Sequence, residues 1–216
     1  MMQPSAEPTL PPPRVPRVVA IAASAGGVKA LPLVLGALPA DFPAVVLVVQ
    51  HRSAHRPELL AGILERRCRL PVCQARDGEV VRGGVVYVCP PDRHVRMGSG
   101  GVLRVAAGPR VNHLPSSADP LFASVAECAG PRAVAVVLTG RGHDGAAGAA
   151  AIRQRGGLVL AQDPATCDSP SMPRAVIAGG GADFVLPPDT LGSALATLVM
   201  APAISAALFG LPAVAV

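Results

Sequence analysis

The sequence predicts an α/β fold: a three-layer, mostly parallel, Rossmann-like sheet with a β-hairpin excursion. Three observations predict it. Short, unbroken apolar runs recur at residues 18–23, 44–49 and 133–138, as expected of strands buried on both faces. Helical patterning follows each run, and strands alternating with helices build parallel sheets through crossover connections. Half of the 216 residues are apolar, yet aromatics amount to four Phe and one Tyr. The core is therefore made of Ala, Val, Leu and Ile, which suits small-residue helices packed on parallel strands.

The elements follow in order. Residues 1–17 contain six prolines and read as a disordered or polyproline-like leader. The run 18–23 is a buried strand. Gly26-Gly27 opens a helix that reaches about Leu38, with Pro32 in its early turns. A second strand covers 44–49 and a helix runs from about Arg56 to Arg67. Residues 71–106 change character: short Val-rich runs alternate with Gly, Pro and Asp, which predicts strands and hairpins. Helices are expected at 119–129 and 146–155, and strands at 133–138 and 157–162. A short helix is expected near Pro173, a last strand near 183–186, and a helix from Asp189 onward. From Thr190 to Val216 no residue is charged, a length that could span a bilayer. The stretch is rich in Ala, Gly and Ser and carries Pro202 and Pro212, which insert weakly or resist insertion. It reads as a final helix followed by an Ala-rich tail over 201–216, with no membrane insertion.

Composition excludes several classes of function. The net charge is +5, with Lys29 the sole lysine, but no basic run forms and no aromatics interleave with the arginines. Nucleic acid is therefore not an expected partner. Five cysteines, at 68, 73, 89, 128 and 167, form an odd count without a C-x-x-C pair. Neither a disulfide framework nor a zinc site is expected, and reduced thiols fit a cytoplasmic protein. The N-terminus lacks the apolar core of a secretory signal.

Three segments carry candidate chemistry. Ser24, in Ala23-Ser24-Ala25-Gly26-Gly27, falls where a buried strand gives way to a helix. Such a corner exposes the hydroxyl and points backbone N–H groups beside it. The Ala25 N–H is a candidate oxyanion donor, and Gly26 lets the turn close. A helix N-cap or a phosphate-binding loop would use the same residues. His51 follows the second strand, so it belongs at the same sheet edge, where loops after parallel strands converge; a packing histidine is the plainer alternative. His55 and His94 lack a position at the end of a strongly buried strand. Asp144, in Thr139-Gly140-Arg141-Gly142-His143-Asp144-Gly145, follows the strand at 133–138. It suits an acid that orients an imidazole, and equally an Asp that caps the helix after it. His143 is the poorer base. Three strand ends thus offer a nucleophile, a base and an acid.

Together these segments resemble the catalytic domain of the CheB-type protein-glutamate methylesterases. The signature Ile-Gly-Ala-Ser-(Thr/Ala)-Gly-Gly is similar to Ile21–Gly27, and the family's Gln-His to Gln50-His51. Further likeness lies in Tyr87–His94, Pro115–Ala126, Thr139–Gly145, Gly156–Asp163 and Met172-Pro173, so the resemblance covers roughly residues 18–200. It implies Ser24 as nucleophile, His51 as base and Asp144 as acid, with Ala25, Gly26 and Arg141 around the oxyanion and substrate, and neither metal nor cofactor. The implied substrates are glutamate methyl esters on the cytoplasmic helices of chemoreceptors, and some members also deamidate receptor glutamines. A catalytically weak signalling module of the same fold is the alternative expectation. This chain departs from the pattern at Ala22, which replaces a glycine, at Arg141, which replaces a methionine, and at Ser171, which replaces a glycine. The family's receiver domain has no counterpart in the Pro-rich leader, so a separate receiver or regulator protein is expected to control activity.

Overall fold

The computed structural model describes residues 16–52 and 59–201. The expected Pro-rich leader and Ala-rich tail lie almost wholly outside the described residues. The chain runs β1 (Val18–Ala23), α1 (Gly27–Gly36), β2 (Val45–Gln50), α2 (Leu60–Glu65), β3 (Val72–Gln74) and β4 (Val86–Val88). It continues through β5 (His94–Met97), β6 (Leu103–Ala106), α3 (Ala118–Ala129), β7 (Ala133–Val137), α4 (Ala146–Gln154) and β8 (Leu158–Gln162). It ends with α5 (Ser171–Ala178), β9 (Phe184–Leu186) and α6 (Pro188–Met200).

Seven strands form one parallel sheet in the order β3-β4-β2-β1-β7-β8-β9. β1 lies at the centre, and every residue of β1, β2 and β7 is buried. That is the physical meaning of their unbroken apolar runs: with helices on both faces, neither side of these strands meets water. Alternate side chains serve two cores. Val18, Ala20 and Ala22 pack with α3, α4 and α5, whereas Val19, Ile21 and Ala23 pack with α1, α2 and α6. From β1 the chain moves to β2 on one side and returns to β7 on the other. The strand order therefore reverses between β1 and β7, and their carboxyl ends flank a crevice.

Two segments add detail to the expectations. Residues 71–106 hold strands and a hairpin, as expected, but the sequence did not say which strands join the sheet: β3 and β4 extend it in parallel, and β5 and β6 pair antiparallel. Val86–Val88 is buried on both faces like the central strands, but three residues are too short a run for periodicity to separate the two cases. The second helix is also shorter than expected, Leu60–Glu65, and the part expected before Leu59 falls at residues outside the described set. Elsewhere the boundaries agree within two residues, the ordinary fraying of helix and strand ends.

Glycine sets the spacing of the outer layers. A Cβ at Gly192 of α6 would lie 2.3 Å from the Val34 carbonyl oxygen and 2.6 Å from the Ala37 Cβ. Backbone on α1 cannot swing aside as a side chain would, so α6 would have to move. Gly192→Ala is therefore expected to destabilise the fold by about 1–3 kcal/mol despite alanine's better helix propensity. Urea unfolding would check this; a rise in the midpoint would contradict it.

Candidate active site

The parallel register brings two candidate residues side by side. Ala23 pairs with Gln50, so Ser24 and His51 each stand one residue past the last pair of β1 and β2. The His51 N–H still donates to the Ala23 carbonyl at 2.9 Å, which keeps the chains at strand spacing, about 4.8 Å. On the other flank of β1, the Ser24 N–H donates to the Thr139 carbonyl at 3.0 Å. Ser24 thus sits at the reversal of strand order, held from both neighbouring strands.

The turn after Ser24 needs glycine twice. Gly26 caps α1 with φ 88°, a left-handed conformation that favours glycine, and a Cβ there would meet Asp168 and Thr139. Gly27 admits the Gln50 amide, because a Cβ would fall 2.0 Å from its Oε1. That buried amide donates through Nε2 to the Ser24 carbonyl at 2.8 Å and the His51 carbonyl at 3.1 Å. Thr139 Oγ1 donates to the Ala25 carbonyl at 2.9 Å. Because a peptide is planar, fixing these carbonyls also fixes the N–H groups of Ala25 and Gly26 on the opposite side. Among the described residues, the backbone N–H groups of Ala25, Gly26 and Arg141 make no hydrogen bond and remain available to a ligand.

His51 and Asp144 meet directly. His51 Nε2 donates to Asp144 Oδ2 at 2.8 Å, with side-chain exposures of 8% and 1%. A carboxylate this buried needs donors. Asp144 Oδ2 also accepts the Ala118 N–H at 2.6 Å, while Oδ1 accepts the Ser117 hydroxyl and the Asn112 amide at 3.0 Å. Burial pushes the Asp144 pKa up, but the hydrogen bonds from His51, Ala118 and Ser117, with the charge on His51, outweigh it and hold the carboxyl well below its ordinary value. With Nε2 committed to the acid, Nδ1 is the His51 nitrogen left to accept a proton.

Asp144 was open to reading as a cap for the helix that follows it. It caps a different helix: the N-cap of α4 is Gly145, which has no side chain, while the Ala118 N–H belongs to the first turn of α3. The positive end of α3 thus faces the anion. His94 proves structural. Its Nδ1 accepts the Ser117 N–H at 3.3 Å and its Nε2 donates to the Pro109 carbonyl at 2.9 Å. His143 and Arg141 are exposed, in the loop that leads to Asp144, and His55 lies outside the described residues. Residue-level reading missed Asn112, Ser117 and the Gln50 clamp. Ser117 carried a signal, since a serine opening an apolar helical run is an N-cap, but nothing local says that its hydroxyl turns toward a residue 27 positions away.

The chain is similar to known proteins over most of its length. The sequence profile of the family described as CheB methylesterase matches residues 19–195. A protein-glutamate methylesterase/protein-glutamine glutaminase of Anaeromyxobacter dehalogenans is 45% identical over 195 residues, 89% of this chain and 57% of that protein. The protein-glutamate methylesterase FrzG of Myxococcus xanthus is 42% identical over 86% of this chain and 55% of its own length. The chain thus spans just over half the length of the curated relatives it matches. The crystal structure of the Thermotoga maritima CheB methylesterase catalytic domain superposes with a TM-score of 0.83 at 36% identity, over 85% of this chain and 99% of that one.

Two outcomes follow from the site's packing and charge. A Cβ at Gly140 would lie 2.1 Å from Met172 Sδ and 2.7 Å from the Ser24 Cβ. Gly140→Ala should therefore displace Ser24 and lower stability by about 1–3 kcal/mol. Slower labelling by a fluorophosphonate together with a lower urea midpoint would bear this out, and an unchanged labelling rate would contradict it. The depressed Asp144 pKa contributes stability that is complete above the unfolded carboxyl value near 4 and is lost as pH falls toward the folded value. Asp144→Asn should accordingly flatten the fall in melting temperature between pH 5 and pH 3; an equally steep fall would remove Asp144 as its source.

Proposed function

The chain belongs to the CheB methylesterase family, and from that membership we propose that it hydrolyses glutamate methyl esters on chemoreceptors, with Ser24 as nucleophile, His51 as general base and Asp144 as the orienting acid. The observation that carries this reading is the buried 2.8 Å His51–Asp144 pair at the strand-order reversal, one strand spacing from Ser24.

Ser24 Oγ attacks the ester carbonyl as its proton passes to His51 Nδ1. The negative oxygen of the tetrahedral intermediate is met by the Ala25 and Gly26 N–H groups and, across the crevice, by the N–H of Arg141. Collapse breaks the C–O bond, and His51 returns its proton to the departing methoxide, which leaves as methanol. Water, deprotonated by His51, then attacks the acyl-serine and releases a glutamate carboxylic acid and free Ser24. Asp144 never takes the proton; it holds the imidazole in the Nε2–H tautomer and favours its charged form. The same steps on a glutamine side chain expel ammonia, so deamidation is part of the proposal. No step calls for a metal or organic cofactor.

The target helices lie on the cytoplasmic side, which is where we place this protein. Among the described residues no helix is long and apolar enough to cross a membrane. Residues 18–200 form the catalytic unit in this reading. The exposed Arg141 side chain, where the family carries a methionine, favours acidic segments at the mouth of the site.

Ser24→Ala tests the proposal. Methanol released from methylated receptor peptides should fall by roughly 1,000-fold or more, because the triad acts as a unit. Hydrolysis that persists in purified Ser24→Ala would overturn the serine mechanism.

A further inference from the structure

Outside Ser24, His51 and Asp144, one side chain among the described residues touches two carboxylates at once. Asn112 Nδ2 donates to Asp144 Oδ1 at 3.0 Å and to Asp119 at 2.6 Å. An amide nitrogen carries two protons, so each carboxylate receives one. Asn112 holds φ 53° in a short turn closed by Val111 and Leu114, a left-handed conformation tolerated by Asn better than by most residues. Asp119 in turn accepts the Gly148 N–H at 2.8 Å. Burial raises its pKa and the Asp144 charge raises it further, against the lowering effect of the Gly148 and Asn112 donors. Two carboxylates facing each other in this way would repel and rotate apart without a donor between them.

We propose that Asn112 and Asp119 are positioning residues of the catalytic site, with the Asn112 amide anchored on Asp119 so that its second proton fixes the Asp144 carboxylate in the plane that His51 requires. The chain of contacts then runs Asp119–Asn112–Asp144–His51, toward Ser24. Asp119 belongs to the first turn of α3 and Asp144 precedes α4, so the network links the packing of these two helices to the direction of one imidazole N–H. Charged or titratable groups near the pair are His51 from the end of β2 and the exposed His113 and His143 beside Asn112 and Asp144. Of these, His51 alone is hydrogen-bonded to either carboxylate among the described residues.

This inference rests on the assignment of Asp144 as the orienting acid, and the experiment separates the two. Asn112→Gly keeps the left-handed turn and removes both protons. Asp119→Asn keeps an acceptor for the Gly148 N–H, and so the α4 cap, but can no longer accept from Asn112. The first readout is the downfield proton resonance of His51 Nε2–H, identified by its loss in Asp144→Asn; it needs no substrate and no activity. In both variants that resonance should weaken or shift, in a protein that still unfolds cooperatively, at a lower melting temperature for Asn112→Gly because two donors to carboxylates are lost. The second readout is turnover of a methylated receptor peptide. kcat should fall roughly ten- to a hundredfold with KM nearly constant, as expected when a reacting group is slightly misdirected. In an Asp144→Asn background, Asn112→Gly should add nothing. An unchanged His51 resonance in Asn112→Gly, or an equal kcat loss in both backgrounds, would overturn the proposal. A wild-type protein that shows the resonance but hydrolyses no ester would instead count against the proposed activity and leave the network standing.

Discussion

The structure of the site depends on one constraint: a carboxylate at 1% exposure has to stay ionised. An unpaired buried charge costs several kcal/mol, so its donors must be built before it can be useful. Asp144 draws them from three directions. His51 arrives from the end of β2, Ser117 and Ala118 from the start of α3, and Asn112 from the loop between β6 and α3. The hairpin excursion thereby gains a role. His94, the first residue of β5, ties the Pro109 carbonyl to the Ser117 N–H, closing the loop that carries Asn112 against the donor set.

The same need explains how α3 and α4 are packed. Each helix opens without an acidic cap of its own on the residue before it: Ser117 for α3 and Gly145 for α4. Each instead borrows a carboxylate from the other's sequence, Asp144 for the Ala118 N–H and Asp119 for the Gly148 N–H. This exchange works only if the two N-termini lie close together. Gly148 permits that, since a Cβ there would come within 2.5 Å of the Phe122 Cβ. Two favourable helix-dipole contacts and the orientation of the imidazole therefore share one packing arrangement.

What the sequence made legible follows from the range of the forces involved. β1, β2 and β7 were legible because burial on both faces writes itself into consecutive residues, and the convergence of Ser24, His51 and Asp144 followed from all three standing after parallel strands. The place of β4 within the sheet was not legible, because three residues cannot show a period. The clamp by Gln50 and the bridge by Asn112 were not legible as chemistry. Their partners are 26 and 32 residues away, and a polar side chain's local pattern records only its nearest backbone. Glycine was an intermediate case. Gly26 and Gly27 announced a tight turn, but only coordinates reveal that one is required by its φ and the other by the Gln50 amide.

The departure at Arg141 can be weighed in the same terms. An oxyanion hole made of backbone N–H groups is indifferent to the side chains that share those backbones. What matters is the direction of each peptide, and here neighbours set it: Gln50 and Thr139 fix the turn after Ser24, and Gly142, at φ 87°, shapes the loop after Arg141. An arginine in such a loop keeps its backbone N–H while adding an exposed positive charge beside the crevice. That charge is exposed, so salt screens it and it acts on approach more than on the buried reacting atoms. Under the proposed function, such a charge bears on which segments enter the crevice, whereas the hydrogen bonds around Asp144 are made by residues that it does not touch.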